Sequence, residues 1–255
     1  MNVKGVLLDL DGVLYTGDNP VPGAPEALRY LKKRGYVTRF VSNTTRKSRD
    51  AIKSRLLSLG FEIGKDEIVT PSAAAINYVI NTGMKRCHLL TTADLLAEFE
   101  AAGLIHQETT VDWVIIGDAG DNFNYDTMNR AFRLVQEGAG LIALENDRYW
   151  MGSDGLMLSA GPFVRGIEYA TGKTATLMGK PSPEFFGMVL RGMGLGPADA
   201  VMIGDDVVSD TGGAMNAGMQ GILVKTGKFN TVALAEADPA PTRIISSIAQ
   251  INTIL

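Results

Sequence analysis

Val6-Leu7-Leu8-Asp9-Leu10-Asp11-Gly12-Val13-Leu14 is a hydrophobic run broken by two carboxylates and a glycine, and no other stretch constrains the fold as strongly. Val6, Leu7 and Leu8 show no polar alternation, so a strand here needs cover on both faces, as in the parallel sheet of an α/β protein. Asp9 and Asp11 fall where that strand ends. Side chains two apart on a strand point the same way, so both carboxylates are expected to face one spot. Two like charges there repel, and a divalent cation relieves the repulsion. Gly12 permits a turn that a Cβ would hinder. Taken alone, the pair also reads as a polar strand end with an ordinary Asp-Gly turn.

The order of elements after this run is that of a doubly wound fold. Pro22-Gly23-Ala24-Pro25 opens a helix with Leu28 and Leu31 on one face, after a turn-rich excursion over Tyr15–Pro20. Val37 to Val41 is a second strand, with Ser42-Asn43-Thr44-Thr45 at its end and a helix carrying Ile52, Leu56 and Leu59 behind it. Ser42 and Asn43 suit either a helix cap or the ligands of an anion. Strand, helix, strand, helix predicts a Rossmann-like parallel sheet with its site at the carboxyl ends of the strands.

From about Met84 to Leu177 the chain has an α/β alternation of its own. Strands are expected at His88–Thr91, Trp113–Ile116 and Leu141–Leu144, with helices through Leu95 and Phe99 and through Met128, Phe132 and Val135. Asn146 to Gly155, which includes Tyr149 and Trp150, reads as a long polar-aromatic loop. Roughly ninety residues are too many for a loop in a compact domain. The predicted organisation is therefore a core in two segments, 1–83 and 178–255, with an inserted α/β cap domain over 84–177.

The core pattern resumes at Thr176-Leu177-Met178-Gly179-Lys180, a strand ending in a lysine. A helix through Phe185, Phe186, Val189 and Leu190 follows, then the apolar strand Ala200–Gly204, which ends in Asp205, Asp206 and Asp210. After another short helix, the strand Ile222–Val224 leads to Lys225-Thr226-Gly227-Lys228-Phe229, and Ile244–Leu255 reads as a terminal helix.

Composition removes several function classes. The 255-residue chain is 45% hydrophobic and 20% charged, as in ordinary globular proteins. A net charge of -4 and an isoelectric point near 5.3 argue against a nucleic-acid or anionic-membrane surface. No apolar run approaches a membrane span, and Asp9 and Asp11 interrupt what would have to be a signal peptide's apolar region. The single cysteine, Cys87, excludes an internal disulfide and a Cys-based metal cluster, which fits a reducing cytoplasm.

Four strands thus end in Asp9/Asp11, Ser42/Asn43, Lys180 and Asp205/Asp206/Asp210. In one parallel sheet those ends share an edge, so carboxylates, hydroxyl and ammonium converge. Oxygen-only ligands select a hard cation, of which Mg²⁺ is the commonest. A cation beside an aspartate, a lysine and anion-binding amides is a place for a phosphoryl group. One carboxylate can attack phosphorus while another protonates the leaving oxygen and then takes a proton from water. Each motif alone has a structural alternative: Lys180 as a solvated charge, Ser42 as a cap, Asp205 and Asp206 as an acidic helix start.

In that order, Asp9-Leu10-Asp11-Gly12-Val13, Ser42-Asn43, Gly179-Lys180-Pro181-Ser182-Pro183 and Ile203-Gly204-Asp205-Asp206-Val207-Val208-Ser209-Asp210 resemble the four motifs of the haloacid dehalogenase superfamily. The insertion between the second and third motifs is similar to that of the NagD-like subgroup, and within it to the phospholysine phosphohistidine inorganic pyrophosphate phosphatases and their relatives. The resemblance runs along essentially the whole chain.

It implies Asp9 as nucleophile and metal ligand, Asp11 as general acid/base whose carbonyl also binds Mg²⁺, and Asp205 as the third protein ligand. Ser42 and Asn43 would hold phosphate oxygens, and Lys180 would neutralise charge and orient Asp9. Asp206 and Asp210 would steady Lys180 or metal-bound waters. Trp150 is a candidate substrate contact, with cap packing as the alternative. Relatives often dimerise through their caps, which leaves a cap-to-cap homodimer open.

The resulting expectation is a cytoplasmic Mg²⁺-dependent phosphatase of small phosphorylated metabolites that forms a phosphoaspartate. Two alternatives stand beside it. A phosphotransferase would use the same chemistry, although the phosphosugar mutases carry a helical cap for which the interval from Asp11 to Ser42 has no room. A phosphate-binding regulatory module would keep Ser42, Asn43 and Lys180 but could dispense with Asp9 and Asp11.

Overall fold

The structure, a computed structural model, describes residues 3–152 and 155–255. Met1 and Asn2, expected to lead into the first strand, and Ser153 and Asp154, expected in the polar-aromatic loop, lie outside the described residues. The chain divides into two compact units: Met1–Ser42, Arg49–Val69 and Lys180–Leu255 form one, and Asn43–Ser48 and Thr70–Gly179 the other.

The first unit is built on six parallel strands in the order Arg243–Ile245, Gln220–Val224, Ala200–Gly204, Gly5–Asp9, Val37–Val41, Ile68–Val69. In chain order the strands run outward from Gly5–Asp9 to one edge, then restart beside it at Ala200–Gly204 and run to the other. The direction reverses between those two central strands, and the carboxyl ends at such a reversal form a crevice. All five residues of Gly5–Asp9 are buried, as its unbroken apolar pattern requires. Val6, Leu8, Val201, Ile203, Ile222 and Val224 pack on one face with Leu31, Leu56, Ile248 and Ile251 from the helical layer. Leu7 and Met202 alternate to the other face and are equally buried.

The helix Ala24–Lys33 begins where Pro25 fits the first turn and buries Ala24, Ala27 and Leu31. At the C-terminus the expected helix is instead the strand Arg243–Ile245 followed by a 3₁₀ turn over Ile248–Thr253. Ile244 and Ile245, stiff at χ1, extend the sheet by pairing with Leu223 and Val224, and Ser247 then starts the turn by accepting the Ala249 N–H.

The second unit has its own parallel sheet, ordered Thr176–Leu177, Gly140–Ala143, Trp113–Ile116, Arg86–Leu90, Ile105–His106. The helix Pro71–Thr82 belongs with it, whereas the sequence placed the boundary after that helix, at 83/84. Ser72 donates to Glu98 at 3.0 Å and Tyr78 meets Trp113 edge-on at 5.5 Å, which ties the helix to this sheet. The short segment Asn43–Ser48 joins the same unit. Thr45 accepts the Asp118 N–H at 3.0 Å, and Ser48 donates its N–H and hydroxyl to Asp94 at 2.7 and 3.0 Å.

The expected loop over Asn146–Gly155 contains instead the first strand of an antiparallel hairpin, Tyr149–Gly152 against Gly155–Leu158. Its base is held by the buried Glu145, which accepts from Asp147 N at 2.7 Å, Ser159 Oγ at 2.6 Å and Ala160 N at 2.8 Å. Burial pushes the Glu145 carboxyl up against these three bonds. No helix among the described residues is long and apolar enough to cross a membrane.

Leu31 has no exposed surface and anchors the first helix to the core of its unit. Leu31→Ala is expected to lower the free energy of unfolding by about 2–5 kcal/mol in a urea titration; a loss below about 1 kcal/mol would mean the helix contributes little to that core.

Candidate active site

Lys180 carries the densest charge contact in the first unit. Its Nζ lies 2.5 Å from Asp9 Oδ1 and 2.5 Å from Asp210 Oδ1, with 3% of its side chain exposed. Asp9 closes the central strand, and Asp210 sits in the π-type helical turn Val207–Gly212 behind the neighbouring strand. Lys180 does not arrive on a fourth strand of that sheet, as the sequence suggested. The strand Thr176–Leu177 pairs with Gly140–Ala143 in the second unit, and Lys180 is delivered by the turn that follows it.

One ammonium faces more negative charge than it can balance. Carboxylate oxygens of Asp9, Asp205 and Asp210 lie within 4.8 Å of one another, and all three residues are buried. Burial, opposed by Lys180 and reinforced by Asp210 and Asp205, pushes the Asp9 carboxyl up to about 8. Burial likewise lifts Asp205 to about 6 against the Lys228 N–H bond. For Lys180, burial alone would lower the ammonium, but Asp210 and Asp9 together hold it above its ordinary value.

The bonding pattern fits a hard cation. Asp210 spends Oδ1 on Lys180 and Oδ2 on the Asp206 N–H at 3.1 Å, while Asp205 Oδ2 accepts the Lys228 N–H at 2.6 Å. The remaining oxygens of Asp9 and Asp205 are those left to meet a metal. Oxygen donors alone, carrying excess negative charge, suit Mg²⁺ or a similar ion.

Asp11 does not share this environment. The strand stops at Asp9 and the chain turns at Leu10, whose carbonyl accepts the Leu14 N–H at 2.9 Å, so the alternation that would pair the two carboxylates no longer applies. Asp11 is exposed and outside the carboxylate cluster. Its negative charge is felt by Tyr15, which burial and then Asp11 push up to about 12.

Ser42 follows Val41, the register partner of Asp9, and its N–H donates to Val69 O at 3.1 Å. It caps no helix, because the next one starts at Arg49, seven residues on. Asn43 falls in the second unit, where its side chain closes on Gly179. Asp206 meets the cluster only through its backbone N–H on Asp210; its side-chain Oδ1 caps the helical turn by accepting from Val208 N at 2.8 Å and Ser209 N at 3.0 Å. Trp150 sits on the hairpin with the Arg46 guanidinium 5.4 Å from its ring centre, and its Nε1 is buried without a hydrogen-bond partner among the described residues. Arg46 in turn is held by Asp118 at 3.2 Å.

His88, His106 and Glu108 also come together in the second unit. Most polar atoms of this group find partners within the protein, and His88 Nε2 is buried without a hydrogen-bond partner among the described residues. His88 Nδ1 bonds the Gln107 carbonyl, His106 Nδ1 accepts the Leu89 N–H and so leaves the proton on Nε2 toward Glu108, and Glu108 pairs with Arg130.

The loop Thr226-Gly227-Lys228 was visible in the sequence only as a strand-end loop. Thr226 Oγ1 donates to the Gly12 carbonyl, and the Lys228 amide holds Asp205. Its position after the buried strand Gln220–Val224, on the same sheet edge as Asp9, was the available signal.

Residues 6–105 match the family described as haloacid dehalogenase-like hydrolase, and residues 177–251 match its HAD-hydrolase-like counterpart. Haloacid dehalogenase-like hydrolase domain-containing protein 2 of Bos taurus is 45% identical over 239 residues, 94% of this chain and 90% of that protein. This chain belongs to the haloacid dehalogenase-like hydrolases. A second family member, the phospholysine phosphohistidine inorganic pyrophosphate phosphatase of Homo sapiens, is 40% identical over 233 residues, 89% of this chain and 84% of that protein. Among solved structures, NagD from E. coli K-12 superposes with a TM-score of 0.90 at 27% identity over 100% of both chains. The glycerol phosphate phosphatase of Mycobacterium tuberculosis, solved in complex with magnesium, gives 0.85 at 25% identity over 97% of this chain and 75% of that one. The family is the NagD-like branch of the haloacid dehalogenase hydrolases, and its Rossmann-like α/β architecture is the one described above.

Removing the ammonium strands Asp9 and Asp210 in a desolvated pocket. Lys180→Met is therefore expected to cost roughly 3 kcal/mol or more of unfolding free energy. Stranded carboxylates take up protons in the folded state, so the penalty should be larger at about pH 8 than at about pH 5.5. Urea titrations at both values test this, and an equal or inverted penalty would contradict the charge assignment.

Proposed function

We propose that this hydrolase is a Mg²⁺-dependent phosphatase that acts on small phosphorylated metabolites (phosphomonoesters, pyrophosphate or phosphoramidates) through a phosphoaspartate on Asp9. The observation that carries this reading is the buried contact of Lys180 with Asp9 and Asp210 beside Asp205, at the switch point of a parallel sheet. The phosphatase named among the relatives, and the magnesium complex of a structural neighbour, support it.

The carboxylates of Asp9 and Asp205 would hold the cation, which when bound supplies positive charge against the phosphoryl oxygens and against the nucleophile's own repulsion. Lys180 engages Oδ1 of Asp9 and so fixes the orientation of the carboxylate that would attack through one of its oxygens. In the first step that oxygen bonds to phosphorus as the bond to the leaving group breaks, and the leaving atom takes the proton of Asp11. In the second, Asp11 accepts a proton from water as the water oxygen bonds to phosphorus and the link to Asp9 breaks. Inorganic phosphate leaves and both aspartates return to their starting states. Ser42, which follows Val41, the register partner of Asp9, would donate to a non-bridging oxygen. The exposure of Asp11 suits a group that must exchange protons with leaving group and water in turn.

Asp9→Asn keeps the shape of the side chain but removes the nucleophilic oxygen, so phosphate release from a panel of phosphorylated metabolites should fall at least about a thousand-fold. Circular dichroism should be unchanged. A chelator should abolish wild-type turnover and added Mg²⁺ restore it. Phosphate release by the Asp9→Asn variant at wild-type rates would refute the nucleophile, and phosphate binding without any turnover in the wild type would favour a regulatory module.

A further inference from the structure

Asp205 is enclosed by backbone from two loops that lie more than 200 residues apart in the chain. Gly12 and Gly227 both adopt left-handed conformations, with φ of 83° and 64°. A Cβ on either one would land well inside contact distance of Asp205 Oδ2, and a Cβ on Gly227 would also come within 2.5 Å of Gly12 Cα. The carboxylate therefore lies in a slot that only two glycines can form. Two bonds lock the slot. Thr226 Oγ1 donates to the Gly12 carbonyl across it, and the Lys228 N–H holds Asp205 Oδ2 at 2.6 Å.

We infer that Thr226-Gly227-Lys228 is a positioning strap for the cation site: it commits one oxygen of Asp205 to the protein and aims the other at the Asp9 cluster. The strap touches no reacting atom and acts through Asp205 and through the Asp11-Gly12 turn. It also ties the turn that carries Asp11 to the metal-holding aspartate, so geometry at the two is set together. This inference rests on the reading of Asp9 and Asp205 as cation ligands given above. Partners of metal-binding side chains commonly set affinity by one to two orders of magnitude.

The test is Mn²⁺ binding to the full chain, read from the electron paramagnetic resonance signal of the free ion, together with the Mg²⁺ concentration for half-maximal turnover. Gly227→Ala is expected to weaken Mn²⁺ binding by about ten-fold or more and Thr226→Val by about three- to ten-fold. Thr226→Ser, which keeps the hydroxyl, should bind like wild type. At saturating Mg²⁺ the Thr226→Val enzyme should recover most of its kcat, a split that a merely structural loop would not produce. If Gly227→Ala fails to fold, Thr226→Val and its Ser counterpart decide the matter alone. Wild-type Mn²⁺ affinity in a folded Thr226→Val protein would overturn the strap. Asp205→Asn separates the two levels: wild-type Mn²⁺ binding there would overturn the cation-site reading itself, whereas its loss together with an unaffected Thr226→Val would overturn only the strap.

Discussion

A single buried ammonium set among three carboxylates governs the chemistry of the first unit. Lys180 can be desolvated only because Asp9 and Asp210 each meet it at 2.5 Å, and those two can be desolvated only because Lys180 is there. The balance is incomplete, since Asp205 adds a third carboxylate without a second ammonium. Burial lifts Asp9 and Asp205 well above the usual carboxylate range, so negative charge on them is costly and a cation bound among them would offset that cost. A site built this way is poised for a divalent ion and an anionic substrate rather than satisfied within itself. The His88, His106 and Glu108 group is the contrast, because there Arg130 pairs with the one carboxylate and both imidazoles bond to backbone through Nδ1.

The sheet explains why these groups meet at all. With Gly5–Asp9 and Ala200–Gly204 side by side and the chain leaving them in opposite lateral directions, Asp9 and the residues after Gly204 open onto one crevice. Asp210 returns to that crevice through a helical turn capped by Asp206. The next strand, Gln220–Val224, brings the Thr226–Lys228 loop to the same edge. The three strands that build the site are thus consecutive neighbours in the sheet, and the long separation in sequence between Gly5–Asp9 and Ala200–Gly204 reflects the insertion of the second unit.

Elements buried on both faces were legible in the sequence, and elements whose partner lies elsewhere were not. Ala200–Gly204, buried at all five positions, appears at its expected residues because its apolar run has one reading. Thr176–Leu177 is only two residues long, and nothing in two residues says which sheet it joins. The helix Pro71–Thr82 was missed because it buries Ser72, Ala73, Ala74, Ala75, Ile76 and Val79 without the one-sided stripe that marks an amphipathic helix. Ser42 was open between cap and anion ligand because sequence does not show that Asn43–Ser48 stays out of the helix and bonds with Asp94 and Asp118. Trp150 lay in a stretch whose polar residues masked the alternation of a hairpin strand. Asp9, Asp205 and Asp210 were legible as a group because each ends or follows a buried strand of the first unit, whereas Lys180 follows a strand that belongs to the second.

In the proposed mechanism the different burial of Asp9 and Asp11, unexpected from their spacing, would divide the labour between them. A carboxylate that attacks phosphorus gains from a dry, fixed setting, where Lys180 orients it and water does not compete for its lone pairs. A carboxylate that passes a proton first to a leaving group and then accepts one from water gains from contact with solvent. Under that proposal the strand would serve the first need by ending at Asp9 inside the sheet, and the turn at Leu10 the second by leaving Asp11 exposed. Had the strand run two residues further, both carboxylates would face the same buried spot, and each would raise the other's proton affinity. The early break in the strand, set by the Leu10–Leu14 turn and the left-handed Gly12, is therefore as much a part of the site as the aspartates on either side of it.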